Sequence, residues 1–188
     1  MGGKLKNISI NFHSLPIAKS ENLINYPFNE NGLTGCLSFI GLNFQNVNIS
    51  SFNSNCEDSI NLINTKGHIK KIISNNSIKD GLDIDFSNVK IDAVNIEEAN
   101  NDCIDVSGGE YNLNNIYLNK CGDKGLSVGE KSFVNLKNLE ISKSNIGVSS
   151  KDSSVTNIEN MLIKSSTICL EAKRKKQEFS GGIINIKD

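Results

Sequence analysis

Apolar and polar residues alternate in short runs along most of the chain, and these runs recur at a constant interval. Alternation with a period of two is typical of a β-strand that buries one face. Equal steps over many repeats indicate a solenoid in which each repeat forms one coil. The central apolar residues of six runs lie 22 residues apart and are Ile60, Leu82, Ile104, Leu126, Val148 and Leu170.

Each repeat contains two further alternating runs after this first one. Val89/Ile91 and Val94/Ile96 represent the second and third runs of one repeat. Three short strands in each repeat predict an all-β fold, a right-handed parallel β-helix. No stretch keeps a helical period, which excludes an α-solenoid, and a β-propeller blade needs about 40 residues.

The repeat is interrupted at one place. From Leu113 to Leu136 the second run advances by 23 residues, whereas the first run keeps its step of 22. We therefore expect an extra residue in the turn at 129–132 and a shorter turn before Val148 that restores the register.

The repeat also predicts the division of the chain. It is strict over residues 57–172, and residues 36–188 are predicted to form the β-helix domain. Residues 1–35 break the pattern and contain both prolines, Pro16 and Pro27. They are predicted to be an irregular capping segment or an earlier, degenerate coil. We expect the chain to be a domain of a larger protein.

Small and amide side chains recur at fixed positions in the repeat. Asn tolerates left-handed backbone conformations in tight turns, and stacked Asn residues can form a hydrogen-bonded ladder. Immediately before each first-strand centre lies a small residue, which suits a tight turn packed against its neighbours. These residues are Ser59, Gly81, Cys103, Gly125, Gly147 and Cys169.

Equal spacing places like positions of successive coils in vertical columns, about 5 Å apart. Around the first strand these columns collect carboxylates. Two charges at that distance repel by roughly 3 kcal/mol at an effective dielectric of 20. Compensation must come from shifted pKa values, from lysines or from a cation. The acidic residues are Glu57, Asp58, Asp80, Asp83, Asp85, Asp102, Asp105 and Asp123.

An all-oxygen cluster of this kind suits Ca²⁺ rather than a transition metal. The candidate ligands are Asp58, Asp83, Asp85 and Asp105. The alternative is a solvated face on which lysines pair with the carboxylates. Both hypotheses stay open at the level of sequence.

Charge and cysteine content narrow the function classes. A net charge of -1 gives no electrostatic argument for nucleic acid or an anionic membrane. No run of about 18 apolar residues predicts a membrane span. Five cysteines without a CxxC pattern favour buried free thiols over a disulfide framework or a metal site.

Four short segments in successive coils resemble the characteristic sequence motifs of the polygalacturonases, within the pectin-lyase-like β-helix superfamily. Their order and coil spacing match over roughly residues 57–152. The segments are Ile78-Lys79-Asp80-Gly81-Leu82-Asp83, Asn101-Asp102-Cys103-Ile104, Asp123-Lys124-Gly125-Leu126-Ser127-Val128-Gly129 and Gly147-Val148-Ser149-Ser150-Lys151.

The resemblance implies a glycoside hydrolase or polysaccharide lyase, with three departures. Asn101 occupies the position of the general acid, Lys124 that of a histidine, and Ser149 that of an arginine. Inverting hydrolysis needs an acid and a base on either side of the bond. The candidate catalytic residues are Asp80, Asp102, Asp105, Asp123, Lys124 and Lys151.

Two functions follow from these features. The first is binding or processing of an acidic polysaccharide along an acidic groove on the first-strand side. The second is a non-catalytic scaffold, such as an adhesin or spike module, that contacts a partner, another copy or the rest of a larger chain. The absence of Trp as a sugar platform counts against the first. Both favour an extracellular or cell-surface location.

Overall fold

The computed structural model describes residues 2–14 and 32–187, and the predicted cap residues Pro16 and Pro27 lie outside them. Every regular element in these ranges is a β-strand, and the strands form one sheet wound into coils. In chain order they are β1 (Lys4–Lys6), β2 (Ser9–His13), β3 (Gly35–Ile40), β4 (Asn43–Ser54), β5 (Asp58–Ile63), β6 (Lys66–Ser77), β7 (Asp80–Asp85), β8 (Asn88–Ala99), β9 (Ile104–Ser107), β10 (Glu110–Gly129), β11 (Phe133–Lys151), β12 (Val155–Lys164), β13 (Ile168–Lys173) and β14 (Ile183–Ile186).

All pairs among these strands are parallel, and partners lie one coil apart, as Leu82 and Ile104 do. The predicted parallel β-helix and its predicted coil length are therefore confirmed, while its right-handedness stays a prediction. Each coil has three faces. The second and third faces lie in one continuous strand, because a single residue at the corner, such as Lys70 or Asp92, drops out of the pairing.

The interruption of the repeat lies where it was expected. Leu113 pairs with Leu136, one position beyond the regular step, whereas Lys124 pairs with Ile146 at the regular step. At the turn after β10, Glu130 and Lys131 both have positive φ, whereas Gly108 alone does so one coil earlier. The register returns between Cys121 and Lys124.

The core lies between the three faces and consists of the alternating inward residues, which are almost fully buried. The small-residue column also points inward. A Cβ at Gly125 would lie 2.7 Å from Cδ1 of Ile141, and one at Gly81 would lie 2.7 Å from Cγ2 of Ile96. Neither glycine has positive φ. These positions are therefore small because the third face leaves no room, and the turn conformation does not require glycine there.

Asparagine ladders follow the outer side of the second and third faces. Asn135 donates to Asn112 at 3.2 Å, Asn157 to Asn135 at 3.0 Å, and Asn185 to Asn157 at 2.8 Å. Other asparagines take left-handed turn positions, as Asn53 and Asn76 do. Both predicted uses of Asn are confirmed.

The prediction of free thiols is wrong for four of the five cysteines, all of which lie in the described ranges. Cys36 bonds to Cys56 and Cys103 to Cys121, with Cα atoms 5.4 and 5.3 Å apart. Cys169 is free, and it is exposed rather than buried. One coil returns the chain close to where it began, so cysteines separated by 20 or 18 positions meet although no CxxC pattern exists.

Strands also occur outside the strict repeat. β1 and β2 pair in parallel with β4 and add strands before residue 36. His68 lies in β6 opposite Lys90. No helix among residues 2–14 and 32–187 could cross a membrane. The division of the chain at residue 35 stays a prediction.

Shortening an inward side chain tests whether the column of buried apolar residues in the first strands holds the coils together. Leu126→Ala should lower the free energy of unfolding by about 2–5 kcal/mol, because Leu126 is fully buried and the lost methyl groups leave a cavity. Leu162→Ala is the matched control, since Leu162 is 46% exposed. Chemical denaturation measures both. Equal losses would show that Leu126 is not a core residue.

Candidate functional site: the acidic face

The outer side of the first-strand segments carries the predicted carboxylates, and we call it the acidic face. Its residues form three columns, within which each side chain lies beside its counterpart in the next coil. The Asp58 column contains Asp58, Asp80, Asp102 and Lys124, the Asn61 column contains Asn61, Asp83, Asp105, Ser127 and Ser149, and the Asp85 column contains Asp85, Ser107 and Gly129.

Carboxylates of the Asp58 column link one coil to the next. Asp80 Oδ1 accepts hydrogen bonds from the backbone N–H of Asp102 at 2.8 Å and from Asn101 Nδ2 at 2.7 Å. Asp102 Oδ1 accepts from the backbone N–H of Lys124 at 2.9 Å. The amide at position 101 therefore supplies a donor where a second carboxylate would add a negative charge. Asp58 and Asp102 are each only 3% exposed.

Lysine 124 ends this column and partly neutralises it. Its Nζ pairs with Asp123 and lies 3.4 Å from Oδ1 of Asp102. The structure thus brings together Asp80, Asp102, Asp123 and Lys124, as predicted from the motif spacing. Lys124 is committed to two carboxylates and is not a free cation.

The Asn61 column holds the most crowded carboxyl groups. Asn61 Nδ2 donates to Asp83 Oδ2 at 2.9 Å, and Asp105 follows Asp83 in the next coil. Burial raises the pKa of the neighbouring Asp85, and Asn61 and Asp83 lie close enough to oppose this shift. Asn61, Ser127 and Ser149 alternate with the inward residues of the first strands, yet they are only 1%, 0% and 0% exposed. The face is therefore far less hydrated than alternation alone predicts.

Burial shifts the protonation of the cluster. Burial raises the pKa of Asp83 to about 9, and the charges of Asp58, Asp85 and Asp105 add to this. Burial likewise raises the pKa of Asp80 to about 7 and that of Asp58 to about 6, although hydrogen bonds oppose both shifts. At neutral pH, Asp83 carries a proton. Protonation thus relieves part of the predicted repulsion.

Lysine 151 stands apart from the other candidate catalytic residues. It lies in the same strand as Ser149, which is two coils beyond Asp105. Its stem covers Gly129, and it is 7% exposed. Within the part of the chain that is described, its side chain makes no ion pair or hydrogen bond. The structure does not bring Lys151 to Asp80 or Asp102.

Phe86 belongs to this face, although no pattern in the sequence singles it out. It follows Asp85 directly, and it occupies a left-handed turn position with φ 50°. The equivalent positions in neighbouring coils are Asn64 and Gly108. The ring packs on Gly108, where an added Cβ would lie 2.7 Å from Phe86 Cδ1. The ring is nevertheless 62% exposed, so one side of an aromatic platform is open beside the carboxylates.

The predicted calcium ligands Asp58, Asp83, Asp85 and Asp105 all lie on this face. Over residues 2–14 and 32–187, no three His, Cys, Asp or Glu side chains are arranged as a metal centre. Calcium binding stays a prediction.

Comparisons of the chain with protein families, curated proteins and solved structures find no match. The resemblance to the polygalacturonases within the pectin-lyase-like superfamily therefore stays a prediction. Any functional conclusion depends on the chemistry of the acidic face.

The raised carboxyl pKa values predict that the protein loses stability as the pH rises from 4 to 9. The unfolded carboxyls titrate near 3.8, whereas folded Asp58, Asp80 and Asp83 titrate at about 6, 7 and 9. The folded state therefore binds more protons between these values, and stability falls as pH rises from 4 to 9. Thermal unfolding across this range measures the slope.

Asp83→Asn should flatten that slope, because the amide cannot ionise and still accepts the hydrogen bond from Asn61. Glu159→Gln is the matched control on another face. A wild-type slope in Asp83→Asn, or a stability that rises toward pH 9, would contradict the proposed protonation of the cluster.

The backbone of Phe86 is strained, so replacing it should stabilise the fold. Phe86→Asn should raise the free energy of unfolding by about 1 kcal/mol, because Asn tolerates the left-handed region. The exposed ring contributes little burial to offset this. Phe133→Asn, at a 42% exposed position in a strand, is the control and should not stabilise. A destabilised Phe86→Asn variant would remove the evidence for strain.

Proposed function

We propose that this protein binds a polysaccharide along the acidic face, with the Phe86 ring as a stacking platform. The observation that supports this most directly is the position of the ring. An exposed aromatic side chain is held in an unfavourable backbone conformation next to a row of carboxyl groups. Strain of this kind persists where the surroundings enforce it, and it clusters at binding sites.

The neighbouring groups supply the polar part of such a site. Sugar hydroxyls donate hydrogen bonds well to carboxylates and amide oxygens. Asp83, Asp85 and Asp105 provide these acceptors along the coil direction, and Phe86 lies at the edge of the same row. Asp83 and Asp85 lie in one coil and Asp105 in the next, so acceptors recur along the coil axis, which suits an extended polymer.

The proposal is binding rather than cleavage. Asp80 and Asp102, which the resemblance assigns to catalysis, accept backbone N–H groups of the following coil. Asn101 donates to Asp80 and cannot deliver a proton as a general acid. These three side chains support the stacking of the coils. If the protein is an enzyme, a lyase or hydrolase mechanism must use other groups.

We also propose an extracellular or cell-surface location. The two disulfides support it, because disulfides persist in oxidising compartments.

The alternative function is a non-catalytic scaffold that contacts a protein partner or another copy. The asparagine ladders favour it, because they give the second and third faces a regular polar surface without catalytic groups. On this alternative, the acidic face and Phe86 serve folding or a protein contact.

Binding is tested with a panel of soluble linear oligosaccharides that includes neutral, uronic acid and amino sugar polymers. Isothermal titration calorimetry should detect at least one ligand. Phe86→Asn should weaken its binding at least tenfold while raising the melting temperature. Phe133→Asn should bind as the wild type does.

Two results separate the candidate functions. No heat of binding with any member of the panel would refute the polysaccharide proposal and leave the scaffold. New reducing ends or unsaturated products, lost in Asp102→Asn, would instead restore the enzymatic function.

A further inference from the structure

We propose that the polysaccharide bound by the acidic face is cationic, a polymer of amino sugars whose ammonium groups pair with Asp85 and Asp105. This inference rests on the proposed binding function and names the chemical class of its ligand. It departs from the acidic polysaccharide that the sequence analysis favours.

Two carboxylates of the acidic face, Asp85 and Asp105, carry uncompensated charge. Two of its lysines are already paired, Lys79 with Glu57 and Lys124 with Asp102 and Asp123. Lys151 instead covers Gly129, which lies two coils beyond Asp85. Asp85 and Asp105 have no ion pair with any residue among 2–14 and 32–187. Any uronate placed beside them adds a further negative charge, whereas an ammonium group removes repulsion.

Buried hydrogen-bond acceptors on this face also lack donors. Asn61 is 1% exposed, and its Oδ1 has no hydrogen-bond partner among the described residues, although its amide group contacts Asp83. Asp105 Oδ1 is also buried and without a partner there. Leaving such an acceptor unpaired costs about 1–3 kcal/mol. Both atoms belong to the Asn61 column, so the missing hydrogen-bond donors are concentrated in one place.

Ser127 extends this unpaired row to the next coil. It pairs with Asp105 in register, is fully buried, and its hydroxyl has no partner in the described ranges. Two neighbouring oxygens of this row therefore lack a hydrogen-bond partner. Asp105 is only half-buried, so rotation of its side chain can present its carboxylate to a ligand. An ammonium group carries three N–H donors and matches this need.

The aromatic ring of Phe86 lies at the edge of this row of acceptors. Cations are attracted to the face of an aromatic ring within about 6 Å of its centre. The open side of Phe86 adjoins Asp85. Glu130 lies close enough to raise the pKa of Asp85, but its own carboxylate is paired with Lys176. A ring next to the Asp85 carboxylate favours a cationic sugar over a neutral one, and it disfavours a uronate.

Three oligosaccharides of equal length distinguish the classes: a glucosamine hexamer, its fully N-acetylated form and a galacturonate hexamer. Calorimetry at low salt and pH 6, where the amines are protonated, should show the glucosamine hexamer binding at least tenfold more tightly than the acetylated form. The galacturonate hexamer should not bind. Added salt should weaken the glucosamine complex, because charge attraction is screened.

Variants assign the effect to the face. Asp85→Asn and Asp105→Asn should each weaken binding of the glucosamine hexamer about tenfold, with melting curves confirming that both are folded. Glu159→Gln removes a carboxylate from a different face and should bind as the wild type does.

The failures of the two proposals are distinguishable. Equal binding of the acetylated hexamer, or tighter binding of the galacturonate, would refute the cationic class while the polysaccharide function stands. Glucosamine binding that Glu159→Gln weakens as much as Asp105→Asn does would show nonspecific attraction and overturn the site. If no oligosaccharide of the wider panel gave a heat of binding, the polysaccharide function itself would be refuted.

Discussion

Parallel pairing of each coil with the next, at a nearly constant register, is the constraint on which the rest of this structure depends. It satisfies the backbone of every inner coil and buries three inward columns at once. It also forces identical positions of successive coils into contact at about 4.8 Å. A side chain is therefore selected for its own environment and for its compatibility with copies above and below.

Stacking identical positions stabilises columns of asparagine but destabilises columns of aspartate. Stacked asparagines satisfy one another, since each amide donates to the preceding carbonyl oxygen, as in the ladder from Asn112 to Asn185. Stacked aspartates repel. The protein relieves this repulsion by using carboxylates as acceptors for backbone N–H groups, by placing Asn101 and Lys124 beside Asp80 and Asp102, and by protonation of Asp83. What is left unrelieved, around Asp105, is the basis of the proposed site.

The unfavourable backbone conformation of Phe86 indicates a role in binding. Its turn needs a left-handed residue, and the neighbouring coils use Asn64 and Gly108 there. Gly108 also provides the flat surface on which the ring lies, since any Cβ would collide with it. The pair keeps an aromatic face exposed next to carboxylates. Nothing in the packing of the core requires this arrangement, which is why we connect it with binding.

The sequence by itself determined the coil length, the inward columns and the position of the extra residue near Glu130, because backbone pairing transmits a strict period directly into structure. It also placed Asp80, Asp102 and Lys124 together, since these follow the same period. Only the tertiary structure decided the disulfides, the burial of Asn61 and Ser127, and the exposure of Phe86. These three features depend on how the corners of a coil close and on which residues cover each face. The period of the sequence fixes neither of them.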